Sequence, residues 1–333
     1  MIRKSIKQWM GLCVIISVIL TLILANRLGR PVQYYETRLY QLVTGKYPQH
    51  IQYDSSGVPV VYYEGKLEKQ YNIVSVAEET LRWSAEKDSV AEKQFFTSIS
   101  WLIQTGKLLN DSSIIFCNYY DWSHYEMKAP WRSAMNQGRV MQSFLKAFKK
   151  TRDSIYLEYA RKSMNTLYTE VKNGGVTYID NTGYWYEEYA DDNVQQSRVL
   201  NGMIVVLQGL SDYYNVTKDP GALYLFEEGV RAVKNTLHLY DNNDHSNYDV
   251  LGKPASPWYH RFHIELLGFL YDKTREPVFN EYQHKWMKYK EPSYLVSLIR
   301  NPTNIGLFTV FTIFVAAVTI VSIVSYFIWF RKK

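Results

Sequence analysis

The chain has little cysteine: only Cys13 and Cys117, among 333 residues, carry a thiol. Cys13 lies in an N-terminal hydrophobic stretch and Cys117 in the long polar part of the chain. A disulfide within one folded domain is therefore not expected. The sequence also lacks a glycine-rich phosphate-binding loop, so nothing in it indicates a nucleotide site. The stability of the domain must come from its hydrophobic core.

The chain also lacks a strongly charged domain. Its formal net charge is +6, from 38 Lys and Arg against 32 Asp and Glu. Five of the basic residues lie in the first thirty positions and three in the last three. Removing these eight from the 38 leaves 30 basic residues against 32 acidic ones, so the central part is nearly neutral. No nucleic-acid partner is expected, because the basic residues form no footprint on the folded domain.

Both ends of the chain are hydrophobic stretches without charge. Residues 9–25 are slightly short of the ~20 apolar residues that span a bilayer, and residues 305–330 exceed that length. Basic residues precede the first stretch and follow the second. Because basic residues stay on the cytoplasmic side, we expect both termini in the cytoplasm. Residues 28–303 then lie outside, at the cell surface or in a secretory lumen. A cleaved signal peptide is the alternative for the first stretch.

The part between the hydrophobic ends is predicted to be mostly helical. Residues 50–53 and 58–63 flank a polar turn, which indicates a β-hairpin. Apolar residues then recur near i, i+3, i+4 and i+7. This spacing predicts helices over 76–87, 90–107, 132–149, 153–172, 195–214, 219–237, 260–272 and 277–289. The expected fold is mainly α: an incomplete α/α toroid of paired helices preceded by a short β-hairpin, with a transmembrane helix at each end.

These patterns divide the chain into four parts. Residues 1–30 are expected to form a cytoplasmic tail and an N-terminal membrane anchor, and residues 31–70 a short helix and the β-hairpin. Residues 71–292 form the helical domain, and residues 293–333 the C-terminal transmembrane helix with its basic tail. The connections 111–130, 174–194 and 239–259 are aromatic and polar, and are expected to line a cleft.

Two runs concentrate titratable side chains. The first, Tyr184 to Tyr189, contains Glu187 and Glu188 and is expected to open a long helical segment. The second, Trp258 to His263, contains a phenol and two imidazoles. Phenol and carboxylate pairs can remove and return protons on carbon. Both runs are therefore candidates for acid–base chemistry.

Four stretches carry a pattern seen elsewhere. The first is Tyr71-Asn72, and the second is Pro130 to Arg139, which is similar to W-x-S-A-M-x-Q-G. The third is Trp185 to Tyr189, similar to W-Y-E-E-Y, followed by Val199 to Gly202, similar to V-L-N-G. The fourth is Tyr259 to Ile264, which is similar to Y-H-x-x-H-I. In order and approximate spacing they resemble the C-terminal domain of the D-glucuronyl C5-epimerases, which convert glucuronate to iduronate within heparan-type chains. The loop from Tyr248 to Lys253 departs from the family pattern, because it lacks the family's arginine and histidine.

The resemblance implies a site. Glu188 with Tyr189 serves one face of the sugar ring, and Tyr248 with Tyr259 serves the other. The residues expected to hold substrate are Arg132, Asn136, Gln137, Arg139, Trp185, Glu187, Arg198, Asn201, His260 and His263. The C5 proton lies α to a carboxylate, so donors or cations must stabilise the enolate-like dianion. The reaction needs no hydride or redox group, and no cofactor is expected.

Each candidate has a structural alternative. In a chain with 29 tyrosines, a phenol usually belongs to the core or its rim. Glu187 and Glu188 also suit a helix N-terminus through its dipole. His260 and His263 have the spacing of metal ligands on a helix face, but no third ligand accompanies them, so no metal is expected.

Three functions remain open at this level. The first is a C5-epimerase on a uronic-acid-containing polysaccharide, and the second is a polysaccharide lyase that takes the same proton and then expels the 4-linked sugar. The third is a non-catalytic glycan-binding or assembly protein, which the missing loop arginine supports. The expected partners are the polysaccharide and the membrane, with a homodimer left open.

Overall fold

The computed structural model describes residues 2–44, 49–63 and 67–330. The helices are α1 (Ile2–Thr44), α2 (Ile73–Ala85), α3 (Ser89–Thr105), α4 (Ala134–Thr151), α5 (Ser154–Asn165), α6 (Leu200–Thr217), α7 (Pro220–Thr236), α8 (Pro257–Thr274), α9 (Pro277–Trp286), α10 (Tyr294–Arg300) and α11 (Asn304–Phe330). The strands are β1 (Gln49–Tyr53), β2 (Pro59–Tyr63), β3 (Glu68–Gln70), β4 (Lys107–Asn110), β5 (Ser113–Ile115), β6 (Cys117–Asn118), β7 (Trp131–Arg132), β8 (Thr177–Asp180), β9 (Gly183–Tyr186), β10 (Asp241–Asn242) and β11 (His245–Ser246).

The described residues form two compact units. One unit contains α1, α10 and α11, and the other contains everything from β1 to α9. In the first unit, the Tyr294 hydroxyl donates to Gln33 Oε1 at 2.9 Å and the Leu295 N–H to Asn26 Oδ1 at 3.1 Å. Two helical stretches are long and apolar enough to cross a membrane: Trp9–Thr44 within α1 and Asn304–Ile328 within α11.

Paired helices build the second unit. Helices α2, α4, α6 and α8 pack side by side in chain order, and each also packs against the helix that follows it. Gly138 lets α4 approach α6, because a Cβ there would lie 3.0 Å from Val206 Cα. Helix α6 is buried on nearly all sides, as expected of an inner helix. The predicted mainly α fold, an incomplete α/α toroid after a short hairpin, is confirmed.

Polar caps explain where the helices begin. In four helices, the residue before the first turn accepts a backbone N–H of that turn, which satisfies donors that have no partner within the helix. These residues are Asn72, Asp88, Asp153 and Asp219.

The strands β1, β2 and β3 form one antiparallel sheet in this order. The other strands pair as short antiparallel hairpins between the helices, where they place loop residues at the ends of the inner helices.

Three predicted boundaries are wrong. The Tyr184 to Tyr189 run opens no helix, because Gly183–Tyr186 pairs with Thr177–Asp180 and α6 begins only at Leu200. Arg132 lies in β7, where it pairs with Cys117, rather than in α4. Helix α5 ends at Asn165 and gives way to short 3-10 turns, so it does not extend to residue 172.

Candidate active site

The β8–β9 hairpin delivers two adjacent carboxyl groups with opposite surroundings. Glu187 is fully buried and accepts hydrogen bonds from Ser197 Oγ at 3.0 Å and from the backbone N–H of Arg198 at 3.0 Å. Its backbone carbonyl accepts the N–H of Ala134, the first residue of α4, at 2.8 Å. Glu187 therefore ties the hairpin to the following loop and to α4. No helix begins at Glu187 itself, which lies between β9 and the loop that leads to α6.

Glu188 is the unsatisfied member of the pair. Its side chain is partly exposed, but its Oε2 is buried and has no hydrogen-bond partner among the described residues. Burial raises the pKa of Glu188 to about 8, and the Tyr189 hydroxyl offsets only part of this effect. Gly202 makes the room for this group, because a Cβ at position 202 would lie 2.2 Å from Oε2. A carboxyl group with this pKa exchanges protons near neutral pH.

Three phenols adjoin Glu188. Tyr248 is central: Tyr189 and Tyr259 both pack against the small buried cluster that contains it. The rings of Tyr248 and Tyr259 meet edge to face, with centroids 4.7 Å apart. Burial, followed by the charge of Glu188, raises the pKa of all three phenols. They are therefore protonated at neutral pH. The structure thus brings together Glu188, Tyr189, Tyr248 and Tyr259, the four residues that the sequence suggests for catalysis.

Three further residues, Tyr125, Asp249 and Lys253, surround the phenols. The Tyr125 ring lies 4.6 Å from that of Tyr189, and its hydroxyl donates to Asp249 Oδ2 at 2.5 Å. Asp249 also accepts the backbone N–H of Lys253 at 3.1 Å, which closes the loop after Tyr248. The Lys253 ammonium lies 5.4 Å from the Tyr248 ring centroid and 5.7 Å from that of Tyr125. This loop therefore places a cation beside the phenols although it lacks the arginine of the family.

Glu78 on α2 and Arg139 on α4 form an ion pair. Arg139 Nε lies 3.5 Å from Glu78 Oε1, and Arg139 Nη1 donates to Gln142 at 2.9 Å. After burial, the charge of Glu78 adds to the raised pKa values of Glu188 and Tyr259. Glu78 is therefore close to the site. Its helix was predicted correctly, but nothing in that stretch of sequence distinguishes Glu78 from any other helical carboxylate.

Several predicted substrate residues are engaged in structural contacts. Arg132 Nη1 donates to the carbonyls of Val171 and Gly175 at 2.8 and 3.1 Å. Asn136 and Gln137 are buried, and their amides donate to the Phe116 carbonyl at 3.0 and 3.1 Å. Each of these side chains holds a connecting segment against the inner helices.

Three more of these residues surround the hairpin. Trp185 is fully buried and stacks on Tyr240 with centroids 6.1 Å apart. Arg198 forms an ion pair with Asp180 at 2.5 Å, at the end of the hairpin. Asn201 is buried at the start of α6, and its Oδ1 has no partner among the described residues.

The two histidines of α8 form a buried neutral cluster. Nδ1 of His260 and Nδ1 of His263 each lie 2.9 Å from Ser246 Oγ. The Ser246 N–H donates to His260 Nδ1 at 3.1 Å, so His260 carries its proton on Nε2 and donates it to the Trp286 carbonyl. Burial, then the neighbouring imidazoles, lower the pKa of His263 to about 3. The cluster fixes the β10–β11 hairpin against α8, and through it the position of Tyr259.

The raised pKa of Glu188 predicts how stability depends on pH. Between pH 4.5 and about 8 the folded state binds more protons at Glu188 than the unfolded state does, so wild type loses stability as pH rises through this window. Glu188→Gln lacks this loss. We expect the melting temperature of wild type, relative to Glu188→Gln, to fall between pH 5 and 8 in detergent. Glu227→Gln, an exposed carboxylate on α7, is the matched control and should parallel wild type. Parallel curves for wild type and Glu188→Gln would contradict the assignment.

Comparison with known proteins places this site in a family. Residues 110–288 match the family described as D-glucuronyl C5-epimerase C-terminus. An uncharacterized protein of Methanocaldococcus jannaschii is 32% identical over 181 residues, which cover 53% of this chain and 58% of that protein. The D-glucuronyl C5-epimerase of Caenorhabditis elegans is 31% identical over 178 residues, which cover 48% of this chain and 29% of that protein. The chain thus spans less than two thirds of the length of either relative.

A solved structure shares the fold. The cellobiose 2-epimerase of Spirochaeta thermophila superposes with a TM-score of 0.53 over 74% of this chain and 64% of its own, at 10% identity. At this identity the similarity concerns the fold alone. The family match extends over more than half of the chain and contains three of the four motifs noted in the sequence. The resemblance is confirmed: the chain belongs to the D-glucuronyl C5-epimerase C-terminus family.

Proposed function

We propose that this protein is a membrane-anchored epimerase that inverts C5 of uronate residues within an acidic polysaccharide, of the D-glucuronate to L-iduronate type. The observation that carries the proposal is the partly exposed Glu188 carboxyl group beside three phenols that pack together. Inversion needs a proton acceptor on one face of a ring carbon and a donor on the other. A carboxyl group that titrates near neutrality and phenols that stay protonated supply these two functions.

The forward step begins at Glu188. Its ionised form takes the C5 proton, and the electron pair of the C–H bond passes into the uronate carboxylate, which becomes an enolate-like dianion. A protonated phenol, Tyr259 or its partner Tyr248, then donates its proton to the opposite face of C5. The product has inverted configuration, and the enzyme is left with a protonated Glu188 and one phenolate.

The neighbouring phenols are the proposed route by which the starting state is restored. Tyr189 follows Glu188 in the chain, and Tyr189 and Tyr259 both pack against the cluster that contains Tyr248. A proton can therefore move from Glu188 along these phenols to the phenolate, and no proton is gained or lost over the cycle. The same path run backwards epimerises the product, so the reaction is reversible.

The dianion also needs positive charge, and Lys253 is the proposed source. Its ammonium is beside the Tyr248 and Tyr125 rings, and its backbone is held by the buried Asp249. An ammonium group is a point charge with rotatable donors, so it can pair with a carboxylate without the fork geometry of arginine. Lys253 thus replaces the arginine that the loop lacks. Arg139, held by Glu78 and Gln142, is a second cation near the site.

The location follows from the apolar helices. We propose that α1 and α11 both span the membrane, with the termini in the cytoplasm and the β1 to α9 unit on the other side. The basic flanks in the sequence and the two stretches long enough to cross a bilayer support this arrangement. A polymer at the cell surface or in a secretory lumen is then the accessible substrate.

The direct test of the activity uses the full chain in detergent and a polymer of alternating glucuronate and N-acetylglucosamine in deuterated water. We expect deuterium at C5 and new iduronate signals in the proton NMR spectrum, with unchanged chain length. An unsaturated product that absorbs in the ultraviolet would instead identify a lyase. Neither deuterium uptake nor cleavage, despite measurable binding, would support a glycan-binding protein.

Phenylalanine substitutions test the two-face mechanism. Tyr189→Phe and Tyr259→Phe each remove one hydroxyl, so the fold should persist while C5 exchange falls by at least ~10²-fold. Tyr259 acts directly on one face in this mechanism, so Tyr259→Phe should lose exchange mainly from iduronate, whereas Tyr189→Phe interrupts proton return to the phenolate and should lower exchange from both epimers. The measurement is deuterium uptake from each epimer separately. Tyr168→Phe, a half-exposed phenol against α7, is the control. Near wild-type exchange in both variants, with unchanged melting, would refute the assignment.

Lysine substitutions test the cation. Lys253→Met keeps the length of the side chain but removes its charge, so exchange should fall by about 10²-fold, as when one charge-stabilising donor is removed. Lys253→Arg should retain much of the rate. Lys149→Met, at the exposed end of α4, should have no effect. If Lys253→Met matches wild type, another group stabilises the dianion.

A further inference from the structure

Trp258 is an exposed tryptophan beside the phenol cluster. Its side chain is 58% exposed, while every other tryptophan between β1 and α9 is buried or half-buried. Tryptophan is highly buried on average in folded proteins, so an exposed indole beside a site indicates a contact surface. Its neighbour in the chain is Tyr259, one of the three phenols.

The indole is held rigidly. Trp258 lies in the first turn of α8, directly after Pro257, and Ser256 caps this turn by accepting the Tyr259 N–H at 3.3 Å. The indole packs edge to face on the Tyr259 ring, with centroids 4.9 Å apart, and against Phe262 with centroids 5.2 Å apart. A fixed aromatic surface therefore continues outward from Tyr248 through Tyr259 to Trp258.

We propose that Trp258 is the binding platform for the sugar that adjoins the reacting uronate in the polysaccharide. The occupant is a pyranose ring of the same chain, stacked with its C–H face on the indole. The inference rests on the proposed function, because a polymer whose C5 reaches the phenols must extend past them to one side. Among the described residues no hydrogen bond uses the indole N–H, so this donor remains available for a sugar hydroxyl.

The position of Trp258 also indicates a role in binding rather than in proton transfer. Trp258 touches Tyr259 but lies at the outer end of the aromatic series, so it contributes binding of a neighbouring sugar rather than proton transfer. Its loss should raise KM for long substrates and leave kcat close to wild type. A single uronate, which has no adjoining sugar to place on the indole, should be unaffected.

The test compares Trp258→Ala, Trp258→Phe and wild type, as full chains in detergent, on fractionated oligosaccharides of alternating glucuronate and N-acetylglucosamine. Wild type should show a lower KM for a dodecasaccharide than for methyl glucuronide, a single uronate that has no adjoining sugar. Trp258→Ala should raise the dodecasaccharide KM by about tenfold, the size of one aromatic stacking contact, and abolish the difference in KM between the long and the short substrate. Trp258→Phe should restore most of this difference. Tyr168→Ala, which removes another exposed aromatic ring, should change neither value.

Other outcomes overturn the proposal. Unchanged KM values in Trp258→Ala, with wild-type melting, would show that no sugar stacks there. A change of oligomeric mass in light scattering, with unchanged KM, would assign the indole to an interface between copies of the chain. If wild type exchanges no deuterium, the proposed function fails by itself, and calorimetric titration of the dodecasaccharide then decides: tenfold weaker binding by Trp258→Ala upholds the platform, and equal binding refutes it.

Discussion

The site depends on the burial of one carboxyl oxygen. Glu188 Oε2 is enclosed between the β8–β9 hairpin and the start of α6 and has no hydrogen-bond partner among the described residues. Burial without a partner disfavours the charged form, which raises the pKa of this group to about 8. A carboxyl group in water is fully ionised at neutral pH and is a weak base toward carbon. The enclosed one is a stronger base, and it can hold and release a proton within one cycle.

Comparison with the preceding residue, Glu187, shows what distinguishes the environment of Glu188. Glu187 is fully buried, yet it accepts hydrogen bonds from Ser197 and from the Arg198 backbone, and so it serves as a structural anchor. Both carboxyl groups lie just beyond β9, which ends at Tyr186, so the difference follows from the groups that each side chain meets. The Glu187 carboxylate meets two donors, and Glu188 Oε2 meets none among the described residues.

The sequence predicts the framework better than the site. Helical periodicity located every inner helix, because each has an apolar face that must pack. The assignment of Arg132 to substrate rested on its place within a motif, whereas the fold uses its guanidinium to hold the carbonyls of Val171 and Gly175. The β8–β9 pairing was missed because the aromatic residues of Tyr184 to Tyr189 fit a strand as well as a helix. Such pairing depends on partners that local periodicity does not reveal.

Two residues beside the site, Glu78 and Lys253, could not be identified as site residues from the sequence. Glu78 differs from other helical carboxylates only in lying close to the site, which follows from the packing of α2. Lys253 lies at the end of the loop that lacks the arginine, and only the folded loop, closed by Asp249, brings it next to Tyr248. The pKa values of the phenols also depend on burial, which a motif does not contain. In the structure, burial and then the charge of Glu188 raise the pKa values of all three phenols.

The most direct measurement is the ionisation of Glu188 itself. Isotope-edited infrared spectra of the full chain with ¹³C-labelled glutamate, taken as the difference between wild type and Glu188→Gln, isolate this carboxyl group. The account predicts a protonated C=O band at pH 6 that is replaced by the carboxylate band as pH rises through about 8. A carboxylate band already complete at pH 6 would contradict it, because an ionised Glu188 of ordinary pKa would not be the enclosed group on which the mechanism depends.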